Sequence, residues 1–223
     1  MFLTFEGLDF SGKTTQAKLV VEKFKTPPSS SGVSPRTVQF IREPGGTRIS
    51  ERLREILLDK KNLELSQMAE LLLFSASRAQ LVEEVILPAL RRGESVICDR
   101  YYDSTTAYQG YGRGLDLPTI GRINTAATFG LKPDITILVD IPVEEIERRK
   151  TRAGLPFDRM ESSGKAFYEQ VRHGYREIAR EEPGRFVVVD GMKPVQELEE
   201  EIWKAVVCRE NSQTPTLGGG FDK

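Results

Sequence analysis

The stretch Met1-Phe-Leu-Thr-Phe-Glu-Gly7-Leu-Asp-Phe-Ser-Gly-Lys13-Thr14-Thr-Gln-Ala-Lys-Leu19 decides the architecture. Its opening is a short apolar, β-prone run, its middle matches G-x-x-x-x-G-K-[ST], and its end reads as the start of a helix. Strand, glycine-bounded turn and helix N-terminus in that order make an anion cradle. The glycines let successive backbone N–H groups point inward, and the helix start adds its dipole. Gly7, Leu8, Asp9, Phe10, Ser11, Gly12, Lys13, Thr14 and Thr15 are therefore expected around the phosphates of a nucleotide. Lys13 can reach the β- and γ-phosphates, and the Thr14 hydroxyl can bind Mg²⁺. The alternative, a glycine-rich turn with a solvated lysine, does not account for the strand before it and the helix after it.

Outward from this stretch, four more apolar runs follow, Thr37–Ile41, Ser95–Cys98, Ile135–Ile141 and Phe186–Val189. Helical periodicity occupies the segments near 12–25, 46–59, 65–92, 118–129, 143–152, 163–181 and 194–208. Short strands separated by helix-length segments predict right-handed βαβ units. Runs such as Ile135-Thr-Ile-Leu-Val-Asp-Ile141 are nearly continuous in apolar character, as strands covered on both sides are. The expected fold is α/β: a P-loop NTPase with a five-stranded parallel sheet and helices on both faces. One domain is expected over 1–208. The turn-forming stretch 26–35 reads as mobile, and 209–223 reads as a disordered tail, for want of apolar residues to anchor it.

The 223 residues carry 32 Lys and Arg against 33 Asp and Glu, a net charge of -1. This balance argues against a nucleic-acid partner, which calls for a basic excess. No apolar run approaches the roughly 20 residues of a membrane span, and none fits a signal peptide, so a cytoplasmic protein is expected. Cys98 and Cys208 lie too far apart in sequence for metal-ligand spacing, and the single histidine, His173, has no companion ligand. Cys98 reads as packed and His173 as a surface residue.

Asp99-Arg100 closes the third strand, at the sheet edge where α/β proteins bind ligands. Asp99 is placed to hold the Mg²⁺ shell as a second metal residue beside Thr14, and Arg100 to clamp a phosphate bidentately. The plainer reading of the pair is a helix cap and a surface ion pair. No Asn-Lys-x-Asp element follows a later strand, which argues against a GTPase.

The full run Asp99-Arg-Tyr-Tyr-Asp-Ser-Thr-Thr-Ala-Tyr-Gln-Gly110 resembles the thymidylate kinase family, enzymes that phosphorylate dTMP to dTDP. So do Phe5-Glu-Gly-Leu-Asp9, Arg42-Glu-Pro-Gly-Gly-Thr47, Leu73-Phe-Ser-Ala-Ser-Arg78 and Asp158-Arg-Met-Glu161, in the same order over residues 1–208. The resemblance implies ATP and dTMP as substrates, direct in-line transfer, and a homodimer. It also implies an acceptor site: Phe74 stacked on the pyrimidine, Arg78 on a base carbonyl, Thr105 and Gln109 near the base. Tyr108 becomes a wall against a ribose 2′-hydroxyl, Asp9 approaches the 3′-hydroxyl, Arg100 and Arg54 meet the phosphate, and Glu161 lies near the acceptor and the metal waters. Phe74 and Arg78 stand four apart on one helix and so share a face, although an apolar stripe such as Leu71–Phe74 equally describes packing.

Glu147-Arg-Arg-Lys-Thr-Arg-Ala-Gly154 leads off a helix toward a Gly/Pro-containing loop. Its cations, Arg148, Arg149, Lys150 and Arg152, would ordinarily be a solvated face. Within the resemblance they form a lid, about 148–160, over ATP, with Arg148 as an ATP contact. Position 10 is Phe rather than a cation, which places the chain with the lid-arginine type; Arg149 and Arg152 are the catalytic candidates there, beside Lys13 and Asp9. Two rival readings are a kinase for another (deoxy)nucleotide and a P-loop regulatory binder without turnover.

Overall fold

The computed structural model describes residues 1–154, 159–160 and 164–213. Among these, five strands form one sheet in the order β2-β3-β1-β4-β5: β1 (Phe2–Glu6), β2 (Val38–Arg42), β3 (Ser95–Asp99), β4 (Ile135–Asp140) and β5 (Phe186–Asp190). Every pairing is parallel. Central β1 and β3 are buried along their whole lengths, while edge strands β2 and β5 are partly open. Phe5 pairs with both Asp99 and Ile137, and β4 and β5 run on three residues past that level, to Asp140 and Asp190. With every strand parallel, the loops after β1, β3 and β5 emerge on one edge.

Helices α1 (Lys13–Lys25) and α9 (Val195–Gln213) cover one face. There Val20, Phe24, Ile202 and Trp203 pack on Leu3, Phe5, Ile97 and Ile137. The opposite face carries α3 (Gln67–Leu81), which passes through a π-turn at Val82–Ile86 into α4 (Leu87–Arg91). Leu81, Ile86 and Ala89 of this run cover Phe2, Val96 and Cys98. The widened turn sits just before Pro88, which has no N–H for the carbonyl four residues back; the single helix expected over 65–92 is interrupted there. Helix α2 (Arg48–Leu58) precedes α3; α5 (Tyr102–Thr105) runs directly into a π-helical turn, Thr106–Gly112, followed by α6 (Leu117–Thr128), α7 (Glu144–Ala153) and α8 (Lys165–Glu181). Side-chain caps start three of them: Thr47 accepts from Ser50 N, Ser66 from Ala69 N and Asp116 from Thr119 N.

A third apolar cluster lies under the functional edge. In it Tyr108 of the π-helical turn packs with Tyr168, Val171 and Tyr175 of α8 and Leu138 of β4. Close approach of α8 to that turn depends on Gly174, where an added Cβ would lie 2.6 Å from the Tyr111 ring. Arg185, at the foot of β5, forms a bidentate pair with Asp103 of α5, both contacts 2.7 Å, between the rings of Tyr102 and Phe186.

One boundary changes. The last helix continues to Gln213 rather than ending at 208, because Glu210 pairs with Arg36 and Arg209 donates to the Gly184 carbonyl. Polar contacts do there what apolar content could not. Residues 26–35 contain a 3₁₀ turn, Ser29–Ser31, closed by Ser31 N to the Pro28 carbonyl at 2.9 Å. Cys98 is buried, Cys208 and His173 are exposed, and among the described residues no helix is long and apolar enough to cross a membrane.

Gly174→Val should lower unfolding free energy by about 1–3 kcal/mol, since an overpacked helix crossing must spread. A denaturant titration that leaves stability unchanged would remove the close-approach role of Gly174.

Candidate active site

The loop between β1 and α1 has the geometry its spacing requires. Gly7 has φ +137° and approaches β4 so closely that a Cβ would sit 2.4 Å from the Val139 carbonyl oxygen. Gly12, at φ +97°, caps α1. Phe10 is a non-glycine residue in the left-handed region, φ 60°. Its half-buried ring packs against the apolar cluster beneath, with the Lys150 ammonium 5.8 Å from the ring centre. Leu8 turns its side chain into the core, and only its backbone serves the loop: Lys13 Nζ donates to the Leu8 carbonyl at 3.2 Å. Burial, and then Arg100, lower the Lys13 pKa from its ordinary value, while Asp99, Asp9 and Glu6 act to hold the charge. The Thr14 hydroxyl donates to Asp99 Oδ2. Asp99 Oδ1 is buried with no hydrogen-bond partner among the described residues. An open carboxylate oxygen beside a hydroxyl, at the mouth of a phosphate cradle, suits a hard divalent cation such as Mg²⁺.

Beside the loop opens a cavity of about 170 Å³. Of the expected acceptor residues, Asp9, Arg54, Phe74, Arg78, Arg100, Thr105, Tyr108 and Gln109 all line it, joined by Glu43, Ser104 and Met160. Arg54 is the one of the three α2 arginines on its wall; it donates to the Pro44 carbonyl at 3.1 Å. Glu161 and Asp158 lie outside the described residues.

Arg100 stands at the junction of loop and cavity, in the left-handed region with φ 71°. Its Nη1 donates to the Gly7 carbonyl (3.0 Å), Ser104 Oγ (3.1 Å) and Tyr175 Oη (3.0 Å). Its Nη2 donates to Asp9 Oδ1 (2.5 Å) and Tyr108 Oη (3.2 Å). The Tyr108 hydroxyl in turn donates to Asp9 Oδ2 at 2.9 Å. Burial alone would raise the Asp9 carboxyl, but Arg100, Lys13 and the Tyr108 hydroxyl bring it below its ordinary pKa. Asp9 therefore holds a full negative charge at neutral pH.

At the far end, Arg78 is only 1% exposed. Its guanidinium lies 2.6 Å from Glu43 Oε1 and donates to Thr105 Oγ1 (2.8 Å) and Asn124 Oδ1 (3.1 Å). Burial pushes the Glu43 carboxyl up, and Arg78 works against that rise. Gln109 donates to Glu70 at 2.9 Å, and Glu70 also pairs with Arg159 (2.6 Å) and Arg113 (3.3 Å).

A second cavity, about 310 Å³, lies across the loop and is lined by Ser11, Gly12 and Thr15 together with Arg148, Arg149 and Arg152, Gly191 and Val195. Arg149 is held by backbone: Nη1 donates to the carbonyls of Phe10 and Ser11, each at 3.2 Å, and Nη2 to that of Gly191 at 2.8 Å. Lys150, counted among the lid cations, is instead buried beneath Phe10. Arg148 and Arg152 are exposed.

Glu6, Glu43, Glu70, Tyr168 and Tyr175 escaped the sequence reading as site residues. Glu6 and Glu43 sit inside quoted motifs, in strand-end positions where a carboxylate followed by Gly or Pro was the available signal. Glu70 resembles any acidic residue in a helix's first turn. Tyr168 and Tyr175 lie in the helical segment 163–181 with no motif to mark them.

A parallel sheet that delivers a phosphate loop between two cavities defines a P-loop α/β protein. The family model for thymidylate kinase matches residues 5–202. The thymidylate kinase of Chlorobaculum parvum is 45% identical over 94% of this chain and 97% of its own. That of Caldanaerobacter subterraneus is 47% identical over 92% and 94%. The crystal structure of thymidylate kinase from Ehrlichia chaffeensis superposes with a TM-score of 0.72 at 35% identity, covering 92% of this chain and 98% of that one. The chain belongs to the thymidylate kinase family.

Burial, then the neighbouring Asp103 carboxylate, pushes Glu6 up from 4.5 to about 7, against the opposing pull of Arg100 and Ser104. Across that window the folded protein keeps a proton that the unfolded chain has released. This group therefore makes stability fall as pH rises between the two values. Denaturant titrations at several pH values should show the margin of wild type over Glu6→Gln shrinking as pH rises from about 5 to about 7.5. A margin independent of pH would contradict this.

Proposed function

We propose that this chain is an ATP-dependent dTMP kinase: ATP and dTMP give ADP and dTDP by direct in-line transfer. The observation that carries the reading is Arg100, which joins the phosphate loop to a cavity walled by Phe74, Arg78 and Tyr108. The acceptor enters as a phosphate dianion and is itself the nucleophile, so no general base is required. The protein's share is placement and charge.

In this reading Arg100 and Arg54 hold the dTMP phosphate, Phe74 stacks on the thymine, and Arg78 donates to a ring carbonyl. Thr105 and Gln109 border the base, Tyr108 stands where a 2′-hydroxyl would project, and Asp9 faces the 3′-hydroxyl. Glu161 is assigned near the same end from its motif alone. The second cavity takes ATP, its phosphates wrapped by the Gly7–Thr15 backbone and Lys13, with Arg148 at its rim. Thr14 and Asp99 would hold Mg²⁺, which when bound neutralises charge on the β- and γ-phosphates. Arg149 spends its donors on carbonyls and on Glu145 and so shapes the loop, while Arg152, exposed on the wall of the second cavity, reaches toward the transferred group. The same reading includes a cytoplasmic setting and a homodimer, the latter supported by exposed Ile49 and Ile56 on α2 and Met68 and Leu72 on adjacent α3.

A coupled ADP-release assay with ATP, Mg²⁺ and a panel of dTMP, dUMP, dCMP, UMP, AMP and thymidine tests the reading. Turnover should be greatest on dTMP, with dUMP weaker by a factor of about 10–200 for the lost methyl, and absent in Lys13→Ala. A panel led by another acceptor would break the cavity assignment, and no turnover at all would favour a regulatory binder. Arg152→Ala should lower kcat by about 10³ or more without loss of stability, whereas Arg149→Ala should also lower the melting temperature. Equal kcat for Arg152→Ala and wild type would remove Arg152 from the transfer step.

A further inference from the structure

Arg100 does not hold its own position; a second tier of groups does. Two of the three acceptors on its Nη1 are hydroxyls, Ser104 Oγ and Tyr175 Oη. Each hydroxyl has one proton to give. Both protons go to one place: Ser104 Oγ donates to Glu6 Oε2 at 2.6 Å and Tyr175 Oη donates to the same oxygen at 2.9 Å. The other carboxyl oxygen, Glu6 Oε1, takes the Tyr101 backbone N–H at 2.7 Å, which fixes the plane of the group. Glu6 is fully buried at the end of β1, immediately before Gly7, and touches neither cavity.

We propose that Glu6 is the positioning residue of the acceptor-phosphate arginine, acting through Ser104 and Tyr175. Where it is ionised, above about pH 7, Glu6 draws both hydroxyl protons toward itself and leaves both hydroxyl oxygens with lone pairs facing the guanidinium. Without that acceptor the two hydroxyls, 2.8 Å apart, bond to each other, and one of them turns its proton toward Arg100. The guanidinium then loses one of the three acceptors on Nη1, while Nη2 keeps Asp9 and Tyr108. The charge of Glu6 also offsets that of Arg100 in a buried setting, together with Asp9. This inference rests on the assignment of Arg100 to the dTMP phosphate.

Steady-state constants for both substrates, with the melting temperature of each variant, test the proposal in wild type, Glu6→Gln, the hydroxyl-deleted pair Ser104→Ala with Tyr175→Phe, and the three changes combined. Glu6→Gln should raise KM for dTMP about tenfold, as the loss of one charge-assisted hydrogen bond does. KM for ATP should stay within about twofold, and kcat at saturating dTMP should fall less than kcat/KM. In the background without the hydroxyls, Glu6→Gln should add less than about twofold, because its route to Arg100 is already cut. An unchanged dTMP KM in Glu6→Gln, equal shifts in both KM values, or a full effect surviving in the hydroxyl-deleted background would each overturn the proposal. If Glu6→Gln does not fold, the hydroxyl-deleted pair decides: a selective rise in dTMP KM supports the relay and an unchanged value overturns it. Wild-type protein inactive on dTMP would instead overturn the acceptor assignment itself, and is seen before any variant is compared.

Discussion

The site depends on where one guanidinium is held. Arg100 follows β3 in a backbone conformation that side-chain-bearing residues rarely adopt, and its bonds reach the phosphate loop, α5, the π-helical turn and α8. A planar group with fixed donor directions makes such a junction possible, where a lysine's single ammonium would not. Because Gly7 supplies one of those acceptors through its carbonyl, the phosphate loop and the cavity beside it are joined by a direct bond. Moving either displaces both.

Four further arginines, on three carboxylates, repeat this logic away from the junction. Arg78 meets Glu43, Arg185 meets Asp103, and Arg159 with Arg113 meets Glu70, every carboxylate being almost wholly buried. Buried pairs of this kind are poor sources of stability, because desolvation offsets most of the attraction. What they supply is direction: each is bonded on several sides, so its geometry admits little adjustment. The first lines the cavity beside the phosphate loop, and Glu70 of the Arg159–Arg113 group holds Gln109 on its wall. The third, Arg185 with Asp103, anchors the first turn of α5 and so the start of the segment carrying Thr105 and Tyr108.

Burial was legible in the sequence; pairing was less so. All five strands fall on the apolar runs, yet the runs end at Phe5, Ile41, Cys98 and Val189 while the strands go one residue further, to Glu6, Arg42, Asp99 and Asp190. Hydrophobicity marks what is covered, whereas the backbone ladder continues into polar residues at the functional edge. The phosphate loop was readable because its chemistry is local to one turn. The π-helical turn Thr106–Gly112 was not, since its Tyr and Gly residues have weak helical preference and owe their conformation to packing against α8. Lys150 illustrates the same limit: in a run of cations nothing marks the one that turns inward. Glu70 is the mirror case, a first-turn carboxylate whose three partners come from distant segments.

The Arg149 bonds to Phe10, Ser11 and Gly191 carry one more consequence, for synthesis on the ribosome. The phosphate loop precedes Arg149 and Gly191 in the chain, and its carbonyls are tied down only once both have followed it out. Arg100 likewise waits for Tyr175. The nascent chain thus carries its most recognisable motif long before that motif is shaped to grip anything. A product stalled or cut before the fifth strand would present that motif without the bonds that shape it.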